Sequence, residues 1–176
     1  VESTSQHVLD SYNKRQTVPQ IFKATELILK HEIRPYYTVI MFSPLGTVKD
    51  LITDLEGFRE LASMGAGLSL EQYLIPLGGT NFAEQGLKQR IREVKIEGTN
   101  QTIHKGFAWL PEDPTVMRIF EKFEMVYPRY RKWRIDIDGD IKHHEKNWQA
   151  ITILNCLEFV LRNYFGYAIR DPVLND

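Results

Sequence analysis

The chain has 176 residues and a formal net charge of −1, which excludes a protein coated in positive charge for binding nucleic acid. Its 43% hydrophobic and 26% charged residues are typical of one globular domain, and the lone Cys156 excludes an internal disulfide or a several-cysteine zinc site. No apolar run approaches the roughly 18 residues that span a bilayer, so we expect no membrane insertion. The single thiol fits a reducing compartment, and we expect an intracellular location, cytoplasmic or nuclear. Because the sequence begins at Val1 and not at a methionine, a fragment of a larger protein is an open interpretation.

The N-terminal quarter of the sequence changes from polar to strongly patterned. Residues 1–16 are polar and have no strong period, which predicts a flexible arm with a short helix near residues 7–12. Thr17 is a candidate N-cap for an amphipathic helix over residues 17–31. The aromatic and β-branched run at residues 36–42 predicts a strand that is buried on both faces. We therefore expect a single domain over residues 17–176.

Capping patterns mark the starts of the next predicted helices. A Ser, Thr or Asn followed three residues later by an acid or amide favours a helix N-terminus, because each side chain bonds the other's backbone N–H. The chain contains this pattern at Thr47 with Asp50, Ser69 with Gln72, and Asn81 with Glu84. These pairs predict helices over residues 47–61, 69–74 and 81–93.

The second half of the chain is predicted to hold a hairpin, a helix, a strand and a final helix. Alternating residues 94–96 and the returning run at 102–110 predict the hairpin. We expect the next helix to end before Pro128, and residues 131–138 to form a strand that precedes a long helix over residues 147–164. Loosely alternating helices and strands indicate one α/β or α+β domain, with a mixed β-sheet flanked by helices.

The end of the predicted strand carries three aspartates, Asp136, Asp138 and Asp140. Because side chains alternate across a strand, Asp136 and Asp138 would share one face. Neighbouring carboxylates repel, and Mg²⁺ or Mn²⁺, which favour oxygen ligands, would relieve that repulsion. The pattern predicts a metal site formed by the three aspartates, with Asp136 and Asp138 as the catalytic pair. Alternatively, Asp138-Gly139 is simply the turn of a hairpin.

Cations and aromatic residues interleave just before these aspartates, and phosphate contacts with base stacking would use such a set. The predicted nucleic-acid or phosphate contacts are Arg129, Arg131, Lys132, Arg134 and His143. His143 is also a candidate metal ligand. The open alternative for this run is a solvated strand face.

The hydrophobic-Asp-hydrophobic-Asp run at a predicted strand end, followed by a long helix, resembles the first catalytic motif of the archaeo-eukaryotic primase superfamily. The primase-polymerases and the primases of large DNA viruses are the most similar in pattern. The resemblance covers residues 133–176 and implies that Asp136 and Asp138 bind divalent metal. The family's later serine-x-histidine motif and third metal-binding aspartate have no counterpart after Tyr164. The chain would then be a fragment, a degenerate relative, or similar by accident.

Two further resemblances use the same residues. The run IDIDGDI is similar to the nucleophile motif of haloacid-dehalogenase-like phosphatases, which implies Asp136 as nucleophile and Asp138 as acid/base. Asp140 stands where that motif has Thr or Val. Asp140-Ile141-Lys142, with His31 and residues 112–113, is loosely similar to the ligand set of cap-snatching, metal-dependent endonucleases.

Two functions of different classes follow from the sequence. The first is a metal-dependent, primase-like nucleotidyltransferase acting in DNA replication, with Mg²⁺ or Mn²⁺ as cofactor and with nucleic acid and nucleoside triphosphates as partners. The second is a non-enzymatic module of a viral or replication complex, whose partner is another protein. The two are distinguished by whether the aspartates lie in an open cleft without a basic partner.

Overall fold

The structure is a computed structural model that describes residues 1–74, 91–97, 103–138 and 148–169. Both helices and strands occur in these ranges, which confirms the predicted mixed α/β class. The elements are α1 (Gln6–Ser11), α2 (Val18–Lys30), β1 (Tyr36–Phe42), α3 (Val48–Met64), β2 (Gly67–Tyr73), β3 (Ile91–Glu97), β4 (Ile103–Trp109), α4 (Pro114–Asp138) and α5 (Trp148–Phe165).

A βαβ unit forms the first half of the fold. Strands β1 and β2 pair in parallel with Tyr36 opposite Gly67 and Phe42 opposite Tyr73, and α3 provides the crossover that parallel strands require. Strands β3 and β4 form an antiparallel hairpin. The Trp109 N–H donates to the Leu74 carbonyl at 2.9 Å, and this antiparallel bridge links the end of the first strand pair to the hairpin.

Local capping chemistry explains where α2 and α3 begin and end. Thr17 and Thr47 each accept a hydrogen bond from the backbone N–H three residues on, and the side chains of Gln20 and Asp50 bond back to the N-cap N–H. Both helix starts that these capping boxes predict are confirmed. Helix α3 ends at Gly65, whose φ of +107° lies in the left-handed region that favours glycine.

The core lies where β1, α3, α4 and α5 meet. The ring of Phe42, at the end of β1, lies 5.1 Å from that of Phe120 and 5.5 Å from that of Phe123, both on α4. Leu154 and Leu157 of α5 are fully buried in the same cluster. Helices α4 and α5 pack together along the chain's second half, and their buried faces fix them to the rest of the fold.

The N-terminal segment is not the flexible arm that its polar composition predicts. Ser3, Thr4 and Ser5 are buried, and the carboxylate of Asp54 on α3 accepts hydrogen bonds from all three. The carbonyl of Glu2 accepts a hydrogen bond from a backbone N–H of β1 at 2.9 Å. The prediction failed because the acceptor that satisfies these polar residues lies about 50 positions away in sequence.

Two predicted helices are strands, at least in part. Ser69 and Gln72 lie in β2, because pairing with β1 prevails over their local capping pattern. Gly67 permits that close approach, since a Cβ built there would lie 2.4 Å from the Tyr36 ring. The predicted helix over residues 81–93 conflicts with β3 at Ile91, and its remainder lies outside the described residues.

Helix α4 continues through Pro128 to Asp138, so the predicted helix end before Pro128 and the predicted strand over residues 131–138 are both wrong. Packing on both sides of the proline supports the longer helix. The Tyr127 ring stacks on Phe123 at 5.1 Å, and the Tyr130 ring lies 6.1 Å from Phe159 of α5. These contacts offset the backbone hydrogen bond that Pro128 cannot donate.

Candidate functional site

The predicted acidic pair lies at the C-terminal end of α4, where Asp136 and Asp138 have helical backbone. Side chains two positions apart share one face in a strand, where successive side chains alternate. In a helix, positions two apart are separated by about 200° around the axis. The strand-based pairing of the two aspartates is therefore wrong, while their metal-binding and catalytic roles stay predictions. Asp140 and His143, which complete the predicted set, lie outside the described residues.

The predicted nucleic-acid residues fall on one helix instead of one strand face. Arg129, Arg131 and Lys132 are exposed on α4, and Arg134 continues its helical backbone. Position 131 lies about 200° around the helix axis from position 129, whereas position 132 lies only about 60° away, one turn further along. The helix therefore places Arg131 on a different face from Arg129 and Lys132.

An open groove lies along the hairpin of α4 and α5. Its volume is about 580 Å³. The lining side chains are Lys122, Met125, Val126, Arg129 and Tyr130 from α4, and Phe159 and Tyr164 from α5. The α4 members follow the i, i+3, i+4, i+7, i+8 spacing of a single helix face, so one wall of the groove is a continuous helical stripe.

Large apolar side chains are exposed in this groove. Met125 is 69% exposed, Phe159 40% and Tyr164 50%. The Phe159 ring lies 6.1 Å from Tyr130 and 6.0 Å from Tyr164, so the aromatic residues form one cluster that bridges the two helices. Contiguous apolar surface of this kind is typical of binding sites on soluble proteins.

Two cations border the apolar floor. The ammonium nitrogen of Lys122 lies 4.0 Å from the centroid of the Tyr164 ring, which fixes this cation against the aromatic cluster. Arg129 lies seven residues further along α4, and its side chain is exposed. Among the described residues that line the groove there is no carboxylate. The groove is therefore apolar at its centre and positive at its edge.

Polar contacts also hold α5 against α3. Arg59 of α3 donates to Asn155 at 2.9 Å and forms an ion pair with Glu158. Glu158 also accepts from Arg162 at 2.6 Å, one turn further along α5. Helix α5 is thus bonded to α3 and packed against α4, so the groove has walls on rigid elements.

A second cluster of titratable groups surrounds the N-terminal segment. Asp50 accepts hydrogen bonds from Ser5 at 2.6 Å and from Thr47, and its carboxylate contacts His7 Nδ1 at 2.9 Å. Burial raises the pKa of Asp50, but these hydrogen bonds outweigh it and hold that pKa below the ordinary value. At Asp54, burial outweighs the hydrogen bonds and raises the pKa to about 6.

This second cluster is structural in its geometry. Asp54 is 2% exposed, and the small cavity that both carboxylates line has a volume of about 10 Å³, room for a single water molecule. Ser3, Thr4 and Ser5 bond to Asp54, and Asp50 is only 7% exposed, so neither carboxylate is open to a substrate. Throughout the part of the chain that the structure describes, no three His, Cys, Asp or Glu side chains are grouped in the way that a metal site requires.

Comparisons with known proteins identify no relative: no protein-family model, curated protein or solved structure matches this chain. Within the described ranges, the helices are all too short or too polar to cross a membrane.

The groove was missed by sequence reasoning, although part of its signal is present in the sequence. Lys122, Met125 and Arg129 follow the helical period, and that period continues if Pro128 is not taken as a helix end. The contribution of Phe159 and Tyr164 was not visible, because the sequence pattern assigns both to the apolar face of the last helix. Their exposure depends on how α5 packs against α4.

Proposed function

We propose that this protein is a protein-interaction module whose groove between α4 and α5 receives a helix from its partner. The observation that carries the proposal is the apolar groove itself, with Met125 exposed on one wall and Phe159 on the other. A third helix laid along the hairpin would remove that surface from water, at about 25 cal/mol per Å² of apolar area. Helix-in-groove recognition uses anchors with the same i, i+3, i+4, i+7 spacing.

The anchoring of the hairpin supports the same proposal. Arg59 ties α5 to α3, and the buried face of α4 packs on β1, so the groove exists before a partner arrives. A preformed site loses less conformational freedom on binding. We place the module inside the cell, as a subunit of a larger assembly such as a viral or replication complex. The buried free thiol of Cys156 is compatible with a reducing compartment.

Selection from a phage library of helical peptides tests the proposal without choosing the partner's charge in advance. The groove variant is Met125→Ser/Phe159→Ser, and its matched control is Leu27→Ser/Ile33→Ser, which changes two other exposed apolar side chains. The expected result is an enriched set of peptides that lose binding to the groove variant and keep binding to the control. No enrichment, or peptides that bind both variants equally, would contradict the proposal.

The metal-dependent nucleotidyltransferase remains a separate proposal that rests on the sequence of Asp136 and Asp138. Its test is a calorimetric Mn²⁺ titration of the wild type and of Asp136→Asn/Asp138→Asn. Specific binding that disappears in a still-folded variant would support a metal site, and nucleotide incorporation would then be assayed. Equal heats from both proteins would remove the basis for this activity.

A further inference from the structure

We infer that the groove selects an acidic amphipathic helix of a partner protein, an inference that rests on the proposed function. The cations Lys122 and Arg129 are seven residues apart on α4, which is two helical turns or about 10.5 Å along the axis. A partner helix with acidic residues at i and i+7 repeats that spacing. Laid alongside α4, it places one carboxylate opposite each cation.

The apolar floor fixes which face the partner helix turns inward. Met125 and Val126 lie between the two cations, and Phe159 and Tyr164 form the opposite wall. Leu, Ile or Phe side chains on the partner, in a stripe next to the acidic positions, would fill this space. Met125 is unbranched and adapts to side chains of different shape. The α4 wall from Lys122 to Tyr130 is about 12 Å long, which accommodates two to three turns of helix.

A single-stranded nucleic acid fits the same groove less well. Base stacking needs open aromatic faces. Here the ammonium of Lys122 covers one face of Tyr164, and the Phe159 ring meets its neighbours at 42° and 72° instead of presenting parallel platforms. The exposed cations that would follow a phosphate backbone, Arg131 and Lys132, are also not among the residues that line the groove.

A second copy of the chain is also a poorer occupant. In a two-fold dimer the same patch meets itself, so both partners would present a concave apolar surface bordered by Lys122 and Arg129. Two grooves do not fill each other, and the four cations would repel. An acidic helix supplies both the convex apolar face and the opposite charge.

The test uses three synthetic 18-residue helical peptides with one apolar stripe, which differ only in flanking Glu, Gln or Lys at i and i+7. Binding to the wild type is measured by fluorescence anisotropy at low and high salt. We expect the Glu peptide to bind at least 10-fold more tightly than the Lys peptide. Its affinity should fall as salt rises, because screening weakens the contacts with Lys122 and Arg129.

Matched double variants separate the groove cations from the general charge of the protein. Lys122→Gln/Arg129→Gln should weaken binding of the Glu peptide about 10-fold and leave the Gln peptide within about 2-fold. The control, Lys23→Gln/Lys30→Gln, removes the same charge at the same seven-residue spacing from the exposed face of α2 and should leave both affinities within about 2-fold. Equal losses in the two double variants would overturn the inference.

The remaining outcomes distinguish the acidic preference from the interaction module itself and from other occupants of the groove. If the Lys peptide binds as tightly as the Glu peptide and the groove variant abolishes both, the interaction module stands and the acidic preference is wrong. Should a 12-nucleotide single strand displace the Glu peptide and bind more tightly, the occupant is nucleic acid. A dimer in sedimentation that Met125→Ser/Phe159→Ser dissociates would make it a second copy. If none of the three peptides binds while library selection yields groove-dependent clones, this inference alone falls.

Discussion

The N-terminal segment and the α4/α5 groove invert the ordinary arrangement of polar and apolar residues in opposite ways. Ser3, Thr4 and Ser5 are polar and buried, and each bonds to Asp54. Met125 and Phe159 are apolar and exposed. The buried polar residues are satisfied within the chain, so they need nothing further to explain them. The exposed part of the apolar surface would gain further stabilisation from a partner that covers it.

The largest effect is expected from removing the acceptor at the centre of the N-terminal cluster. Asp54→Ala leaves the backbone N–H of Thr4 buried without a partner and leaves the Ser3 hydroxyl with only a 3.5 Å contact to the Ser5 carbonyl, while the Ser5 N–H keeps its hydrogen bond to Ser3 Oγ. Each such group costs about 1–3 kcal/mol, so we expect the free energy of unfolding to fall by about 3–4 kcal/mol in urea denaturation. A loss below about 1 kcal/mol would show that residues 3–5 are not held as the structure has them.

The pH dependence of the free energy of unfolding should report the raised pKa of Asp54. The pKa of Asp54 is about 6 in the folded protein, against 3.8 for an ordinary aspartate, so the folded state binds more protons between these values. Its contribution to stability is therefore fully present below the unfolded pKa and is lost as pH rises through about 6. The loss is on the order of 3 kcal/mol.

Subtracting the profile of Asp54→Asn isolates this contribution, because Asp50 acts in the opposite direction. The lowered pKa of Asp50 gives stability that is present at neutral pH and lost on acidification. The free energy of unfolding of the wild type minus that of Asp54→Asn should fall between pH 4 and pH 6. A flat or rising difference would contradict the burial of Asp54.

A smaller effect is expected where the N-terminal segment touches α3. A Cβ at Gly57 would lie 2.3 Å from Thr4 Oγ1 and 2.6 Å from Thr4 Cβ. Glycine to alanine within a helix normally stabilises by about 1 kcal/mol. Here we expect Gly57→Ala to destabilise by about 2 kcal/mol, because residues 3–5 must move. Stabilisation, measured by urea denaturation, would show that Thr4 does not pack on α3.

Local sequence determines some elements of this fold and not others. The starts of α2 and α3 were predictable, because Thr17 and Thr47 cap these helices through hydrogen bonds to residues only three positions away. The burial of residues 3–5 depends on Asp54, and the strand at Ser69 depends on β1, so no local pattern reveals either. The long helix α4 was hidden by Pro128, and packing of Tyr127 and Tyr130 on either side sustains it.

Only single residues of the candidate site were predictable, because the site also depends on residues that are distant in sequence. Arg129 was identified as a binding residue from its charge, but it was placed on a strand beside Asp136 and Asp138. Its actual neighbours in the groove, Met125 and Phe159, come from two helices that are brought together by packing. The groove is a product of that packing, which no local sequence pattern reveals.

The smallest effect on stability is expected in the groove. Met125→Ser/Phe159→Ser removes the contacts of the Phe159 ring with Tyr130 and Tyr164 but no core residue, so the free energy of unfolding should fall by only about 1–2 kcal/mol in urea denaturation. The free energy of unfolding of Leu27→Ser/Ile33→Ser should fall by no more than that. A loss above about 3 kcal/mol in the groove pair alone would mean that these residues belong to the core.

The most direct test of the groove is a ¹⁵N NMR titration of the wild type with the acidic amphipathic peptide. We predict backbone amide shifts concentrated at residues 122–130 and 159–164, and none of comparable size around Leu27 and Ile33. Shifts that are absent, or that centre on Leu27 and Ile33, would contradict the assignment of the α4/α5 groove as the binding surface.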